Sequence, residues 1–572
     1  MLLQMLLAIV ATYSVWNAIC LEINAGKARK MGVPIIRIPI GGNNALWIIL
    51  QPLVWRFLRL FPFPWSSYPD WLRMSRRDWH FVEKSQPHIR LGPVWALVSP
   101  ESVNLFIADA EAVHEVYSRR DDFVRPAKNY KLLEAYGPCL TTAARHDYAR
   151  HRKPLASLVN ENMMRFVWGE SLRQSGAMMH NWTNDSTHDN GVPSMQKDVA
   201  RLSLKVLASI GFQKSHGLPG RVDNTSAEGE GGSYLDALQT VLEGIILLLL
   251  IPARYLDLPI MPTGWRRIGR ASKLFKRHME QMIAAEKDNM DQGGSGSGGI
   301  MTAFVHALEE HETNRNNPQD AKTGKRGLSK DEILGNLFLV NFAGHDTNAN
   351  TISFALMLLA AYPDVQNWIA EEVESVTNGR SVEQWEYKDL FPRLVRCRAV
   401  VLETLRLYPA VVSVSKWTAD KAQTLRIGQK SISIPPGIMT SLYVNGAQTH
   451  PQYWDNPYDW RPSRWVLQLP STAQQARPAT LQHEELLVPR RGTFFPWSEG
   501  VQSCPGKKFA EVEAVAVIAH LFKDHRLSVK READEGDDSA QKRALDCAND
   551  VEMMALLKMA NADRVTLVYR TA

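Results

Sequence analysis

Hydrophobic and polar positions change their pattern several times along the chain. The opening run, MLLQMLLAIVATYSVWNAICL, holds no charged side chain over residues 1–21, enough to cross the hydrocarbon of a bilayer. Glu22 follows, then Lys27, Arg29 and Lys30. Positive charge on that flank orients the remainder of the chain to the cytosol. A cleaved signal peptide is the alternative, against which stand the length of the run and the lack of basic residues before it. A second apolar stretch, residues 45–65, is interrupted by Pro52, Arg56 and Arg59. That mixture suits a segment lying on a membrane surface, with a core helix as the other reading. The pattern thus divides into a transmembrane signal anchor over 1–21, a basic linker and membrane-surface segment over 22–65, and one globular domain over 66–572.

From residue 66 onward there is no internal repeat. Helical periodicity dominates 150–410, and strand patterns cluster at 89–98, 411–443 and 564–570, so the expected fold class is mainly α with minor β. Residues 288–300, rich in Gly and Ser, and 311–327, polar and breaker-rich, read as surface loops. The strongly apolar stretch 242–262 is too interrupted to span. It reads either as a buried helix or as a lip dipping into the membrane.

The clearest helix lies in LSKDEILGNLFLVNFAGHDTNANTISFALMLLAAYP. Ser329 and Glu332 form a capping box at its start, and Pro363 ends it. Roughly 32 residues at the α-helical rise make about 48 Å, the width of a domain. Its centre is Ala343-Gly344-His345-Asp346-Thr347. A glycine inside a helix costs about 1 kcal/mol against alanine. A flat ligand pressed on the backbone would explain it, with Asp346 and Thr347 beside it as a proton path. A solvent-facing polar patch is the alternative. A further helix, AVVLETLRLYP at 399–409, sets Glu403 and Arg406 three residues apart on one face, flanked by aliphatic side chains. A buried pair of that kind fixes geometry more than it adds stability. Arg464, in the aromatic and proline-rich loop 450–465, is placed to join it.

Composition removes several function classes. The 572 residues are 45% hydrophobic and 22% charged, ordinary for a globular protein. Lys plus Arg exceed Asp plus Glu by 66 to 60, too mild an excess for a nucleic-acid binder. Five cysteines (Cys20, Cys139, Cys397, Cys504, Cys547) lie far apart with no Cys-x-x-Cys, which excludes a disulfide framework and a structural zinc site. Cys504 has a distinctive setting in WSEGVQSCPGKKF. Gly500 and Gly506 free the backbone around it, and the helix expected over 507–522, led by Lys507 and Lys508, favours thiolate over thiol. A lone thiolate cannot hold an iron–sulfur cluster but can be the axial ligand of a haem. A buried structural cysteine is the alternative.

Taken in order, these motifs resemble those of the cytochrome P450 family of haem-thiolate monooxygenases, over essentially the whole chain. Cys504 matches the axial thiolate, and Ala343 to Thr347 match the oxygen-activation motif of the long helix. Glu403 and Arg406 match the Glu-x-x-Arg pair, and Pro462 to Trp465 resemble the meander that follows it. YARHRK at 148–153 resembles the helix that clamps a haem propionate, through Arg152. Three positions depart from the pattern: Trp497 stands where phenylalanine is usual, Gln502 where a propionate-pairing arginine is usual, and Tyr148 where tryptophan is usual.

The resemblance implies the family fold, with one catalytic domain preceded by the transmembrane helix. It implies haem b, dioxygen, and NADPH-derived electrons from a separate membrane flavoprotein reductase. Thr347 and Asp346 would be catalytic. Cys504 would ligate the iron, and Arg152, Lys416, Trp497, Gly500, Gln502, Gly506, Ala343 and Gly344 would complete the cofactor site. Arg152 and Lys416, with His151 as a further candidate, would supply the charge missing at Gln502. Glu403, Arg406 and Arg464 would be structural. Lys507, Lys508, Arg150 and Lys153 would offer a basic docking face, or simply solvated charges. The pocket, with Leu339, Val340, Ala343, Val411, Val412 and Val414, implies an apolar small molecule. The Cys504 segment is most similar to fungal enzymes of secondary metabolism, at the endoplasmic reticulum membrane. Two other readings stay open: a haem-thiolate isomerase or dehydratase, and a non-catalytic membrane scaffold.

Overall fold

The computed structural model describes the chain except for residues 43, 59, 62, 185–190, 193, 212–232, 295–298, 317–326, 469–483 and 554–555. Arg59 and parts of the two loops expected at 288–300 and 311–327 therefore lie outside the described residues. Among other elements, the helices that bear on the site are α1 (Leu2–Arg29), α2 (Ala45–Leu58), α3 (Arg145–Leu155), α4 (Glu161–Asn184), α5 (Met195–Gly211), α6 (Lys330–Ala361), α7 (Val395–Leu407) and α8 (Lys507–Phe522). The main strands are β1 (Ile35–Arg37), β2 (Val94–Val98), β3 (Val103–Ile107), β4 (Val414–Trp417), β5 (Met439–Leu442), β6 (His525–Val529) and β7 (Leu567–Thr571). The described residues form two compact units, one of 1–126, 402–504 and 546–561, the other of 127–401, 505–545 and 562–572.

The first unit is built on a five-stranded mixed sheet in the order β1-β2-β3-β5-β4. Strand β2 pairs parallel with β1 and antiparallel with β3, in the register Val94↔Ile107. All five residues of β2 are buried, because the sheet is covered on both faces. Alternation along the strands separates two cores. Val94, Ala96, Val98, Leu105 and Ile107 face one cluster, while Trp95, Leu97 and Phe106 face another with Trp79 and Tyr443. The C-terminal turns of α1 pack on the first cluster through Ala25 and Ala28. Asn24 Nδ2 donates there to the carbonyls of Ser99 and Pro100, both at 3.0 Å. Helix α1 thus runs past Leu21 to Arg29, since nothing before Gly32 and Pro34 stops it. Its segment Leu7–Arg29 is long and apolar enough to cross a membrane. The strand pattern at 89–98 begins only at Val94. Residues 86–91 are instead a short helix, started with Pro87 in its first turn and ended by Gly92 at φ 100°.

The second unit is mostly helical, with the antiparallel pair β6–β7 at its margin. Its centre is α6, 32 residues long, opened by the capping box of Ser329 and Glu332. Helix α5 packs on α6, and α4 packs on α8. Most of α6 is buried all round, as expected of a helix apolar on every face. The apolar stretch 242–262 resolves into short helices broken at Gly244 and Pro252.

Candidate haem-thiolate site

In the first unit, Cys504 ends a tight loop in which Gly500 has φ +70° and Ser498 φ +62°, left-handed values that favour glycine at the former. The Cys504 amide donates to the Trp497 carbonyl at 2.8 Å, which closes the loop and leaves Cys504 exposed. Gly506 caps α8 with φ −86°, so its conformation does not require glycine.

Gln502, at the uncharged departure from the family pattern, accepts a hydrogen bond from Lys416 Nζ at 2.8 Å. Lys416 lies on β4, is buried, and makes no ion pair among the described residues. Burial, and then the positive charge of Arg125, push its ammonium down to about 8. A desolvated ammonium repelled by a guanidinium and bonded to an amide is a place for a carboxylate, so these residues fit the propionate edge of a haem. Arg125 carried no motif in the sequence, and only its place beside Lys416 brings it forward.

The same unit holds a closed charge lock. Both carboxylate oxygens of Glu403 accept from Arg406, at 2.8 Å each. Glu403 also accepts from Arg464 Nε and Trp465 Nε1, both at 2.9 Å, and from the Arg461 amide at 2.8 Å. Arg406 spends its other donors on the carbonyls of Gln448, Pro457 and Asp459. Every lone pair and proton of the buried pair is thus matched, the condition under which such a pair persists. Burial holds the Arg464 guanidinium below its ordinary value.

In the second unit, the polar interruption opens the middle of α6, between buried stretches on either side. Ala343 is exposed, with Thr347 half-buried one turn on. Thr347 Oγ1 donates to the Ala343 carbonyl at 2.8 Å, keeping its oxygen lone pairs as acceptors. A Cβ at Gly344 would meet the Leu207 methyls of α5 at 3.2 Å, so the missing side chain there serves helix–helix packing. Asp346 is half-exposed, and its Oδ1 lies 3.0 Å from His345 Nδ1 without hydrogen-bond geometry. Where α8 packs on α6, Glu513 of α8 is fully buried and pushed up to about 7 by that burial, against the pull of Ser203 and Asn348. Neither of its oxygens has a hydrogen bond of good geometry. Glu513 reads in the sequence as one more position of an apolar helix, and only burial marks it.

Arg152 is half-buried on α3. Its neighbours are committed elsewhere. Arg150 makes a two-point contact with Glu332 at 2.5 and 2.8 Å, and Lys153 pairs with Glu310 at 2.9 Å. The His151 ring is bonded to Asn336 Nδ2 at 2.8 Å, with Glu332 3.5 Å away. Burial raises the Glu332 carboxyl, but bonds from His151 and Arg150 outweigh it and hold the group well below its ordinary range. Arg150 and Lys153 are therefore both ion-paired within the chain. His151 is likewise occupied.

The cytochrome P450 family model matches residues 63–546. A cytochrome P450 monooxygenase of Arthrobotrys oligospora is 29% identical over 96% of this chain and 95% of its own length. The phomenoic acid biosynthesis cluster cytochrome P450 monooxygenase of Leptosphaeria maculans is 27% identical over 88% of each. Among solved structures, a cytochrome P450 crystal structure superposes with a TM-score of 0.62 at 17% identity, covering 85% of this chain and 96% of its own.

Proposed function

The chain belongs to the cytochrome P450 family and is a monooxygenase of it, and from that premise we propose that it is a membrane-anchored haem-thiolate enzyme of fungal secondary metabolism that oxidises an apolar small molecule. The observation that carries the cofactor assignment is the buried Lys416 bonded to Gln502 beside Arg125, a carboxylate-seeking cradle two residues from Cys504 along the chain. The biosynthesis-cluster name of the Leptosphaeria relative supports the pathway class. The apolar α1 supports a single anchor in the endoplasmic reticulum membrane, and the family assignment supports NADPH-derived electrons from a separate flavoprotein reductase.

Bound haem supplies oxygen activation at a thiolate-ligated iron. In this reading Cys504 provides the thiolate, and the Trp497 carbonyl, by holding the Cys504 amide, fixes the loop that presents it. Lys416 and Arg152 neutralise the propionates, with Gln502 orienting the Lys416 ammonium. Arg406 and Arg464, both held by Glu403, keep the preceding loop from shifting by giving its carbonyls charged donors. Ala343 leaves open space above α6, Thr347 accepts a hydrogen bond at its oxygen, and half-exposed Asp346 exchanges protons with solvent and passes them toward that hydroxyl.

Incubation of the full chain, in vesicles with a fungal reductase, with a panel of terpenoid and polyketide intermediates tests the reading. Oxidised product that depends on both NADPH and reductase is expected. Product formed without NADPH would favour an isomerase or dehydratase instead, and no product or substrate-induced spectral shift across the panel would count against the substrate class.

A further inference from the structure

A cavity of about 370 Å³ opens to solvent on the second unit, walled by Glu161, Tyr387, Lys388, Phe391, Arg398 and Lys508. Its volume falls in the range of small-molecule sites. Phe391, just past the short helix Tyr387–Leu390, forms the floor. That ring is buried and held by Tyr387 and Trp168, with ring centroids 5.5 and 6.4 Å away. Arg398, in the first turn of α7, and Lys508, in the first turn of α8, both lean on it. The guanidinium carbon lies 5.2 Å from the ring centroid and the ammonium nitrogen 4.2 Å.

Among the described residues, neither cation has an ion pair or a side-chain hydrogen bond. Burial pushes both below their ordinary values, against the more distant pull of Glu511, and the charge of Arg398 lowers Lys508 further. A cation taken out of water is ordinarily paired. A ring face attracts it but leaves its remaining N–H groups without acceptors. The guanidinium fork and the ammonium point charge together complement a group that carries several oxygens. The wall sets three cations, Lys388, Arg398 and Lys508, against the one carboxylate of Glu161. An excess of two positive charges matches the charge of about −1.5 to −2 on a phosphomonoester at neutral pH, whereas a lone carboxylate would leave one charge over.

We propose that this cavity is a binding site for a phosphate dianion, free or as a small phosphomonoester, whose oxygens accept from Arg398 and Lys508. The organic part of an ester lies along the floor that Phe391 and Tyr387 provide. Such a ligand ties the start of α7 to the start of α8, the helix that begins three residues after Cys504. Its binding therefore stabilises that helix start.

The test is calorimetric titration of the haem-loaded full chain, in detergent micelles at constant ionic strength, with inorganic phosphate, phenyl phosphate and benzoate. Both phosphates should bind, and benzoate roughly tenfold more weakly or not at all. Tighter binding of phenyl phosphate assigns the site to a phosphomonoester, and equal affinities assign it to free phosphate. Lys508→Gln should weaken phosphate roughly tenfold, while Glu161→Gln should strengthen it severalfold by removing the opposing carboxylate. Glu161 is exposed, so its variant keeps the test decisive should Lys508→Gln misfold. Phosphate binding that neither variant changes would mean an adventitious ion only and would overturn the site. Benzoate binding as tight as phosphate, or no binding of either phosphate, would overturn it too. Weakened reductase affinity in Lys508→Gln, with no phosphate bound by the wild type, would give the cavity to a protein carboxylate instead.

Discussion

Glu403 and Arg406 meet through two hydrogen bonds of 2.8 Å with neither side chain exposed to solvent. Both sit on α7, yet what they hold is the loop 455–465, whose carbonyls and amide complete their bonding. The pair acts as a fastener between a helix and an irregular segment whose backbone polar groups have no ladder of their own to satisfy them. Glu403→Gln keeps the shape but leaves Arg406 and Arg464 as buried cations without a carboxylate. Loss of one partner of such a pair costs about 3–5 kcal/mol. The variant is expected to unfold at markedly lower denaturant, read by far-UV circular dichroism, and a midpoint within error of the wild type would refute the role.

Lys416 and Gln502 make a second relationship, with a charge-relocation test. Lys416→Met should lower the haem-to-protein absorbance ratio severalfold after gel filtration, because the cradle loses its ammonium. Adding Gln502→Arg on that background should restore retention, since the guanidinium then occupies the neighbouring position. Failure of the double variant to recover haem, with the fold intact, would mean that Lys416 serves the fold and not a carboxylate.

Glu513 makes stability depend on pH with a definite sign. Its folded-state value, about 7, lies above the ordinary 4.5, so the native chain holds a proton that the unfolded chain releases first. This contribution is fully present below about pH 4.5 and is lost as pH rises through about 7. Glu372, also buried and pushed up to about 7, acts in the same direction. Glu513→Gln should flatten part of the fall in unfolding free energy between pH 4.5 and 7, with the Glu372 share remaining. An unchanged pH profile in chemical denaturation would contradict the buried, protonated carboxyl.

How far these features were legible in the sequence depended on whether the signal was local. The capping box of Ser329 and Glu332, the helix over 507–522 and the C-terminal strand all rest on short-range pattern, and the structure has them. The sequence also set Glu403 and Arg406 on one helix face. Glycine at 344 invited a ligand-based explanation, yet its space is taken by Leu207, more than a hundred residues away, a contact no local pattern announces. The matched charges of Arg150 and Lys153 were hidden for the same reason: their partners Glu332 and Glu310 are distant in sequence. Arg125 and Glu513 were invisible because only tertiary placement, beside Lys416 for the one and in the core for the other, makes them unusual.

Thr347 is expected to govern coupling more than binding. Thr347→Ala removes the hydroxyl but leaves the helix, since among the described residues the side chain bonds only back to the Ala343 carbonyl. Haem content and substrate-induced spectral shifts should stay within about twofold, while peroxide released per NADPH consumed rises severalfold. Full coupling of NADPH to product in this variant would remove Thr347 from the proton path.

The central claim, a haem held by the Cys504 thiolate, is tested most directly by the absorption spectrum of the dithionite-reduced, CO-bound full-length protein, alone and as Cys504→Ser. A Soret band strongly red-shifted in the wild type and absent from that position in Cys504→Ser is the predicted result. A wild-type band at the ordinary position of haem proteins, or a red-shifted band that survives the substitution, would contradict it.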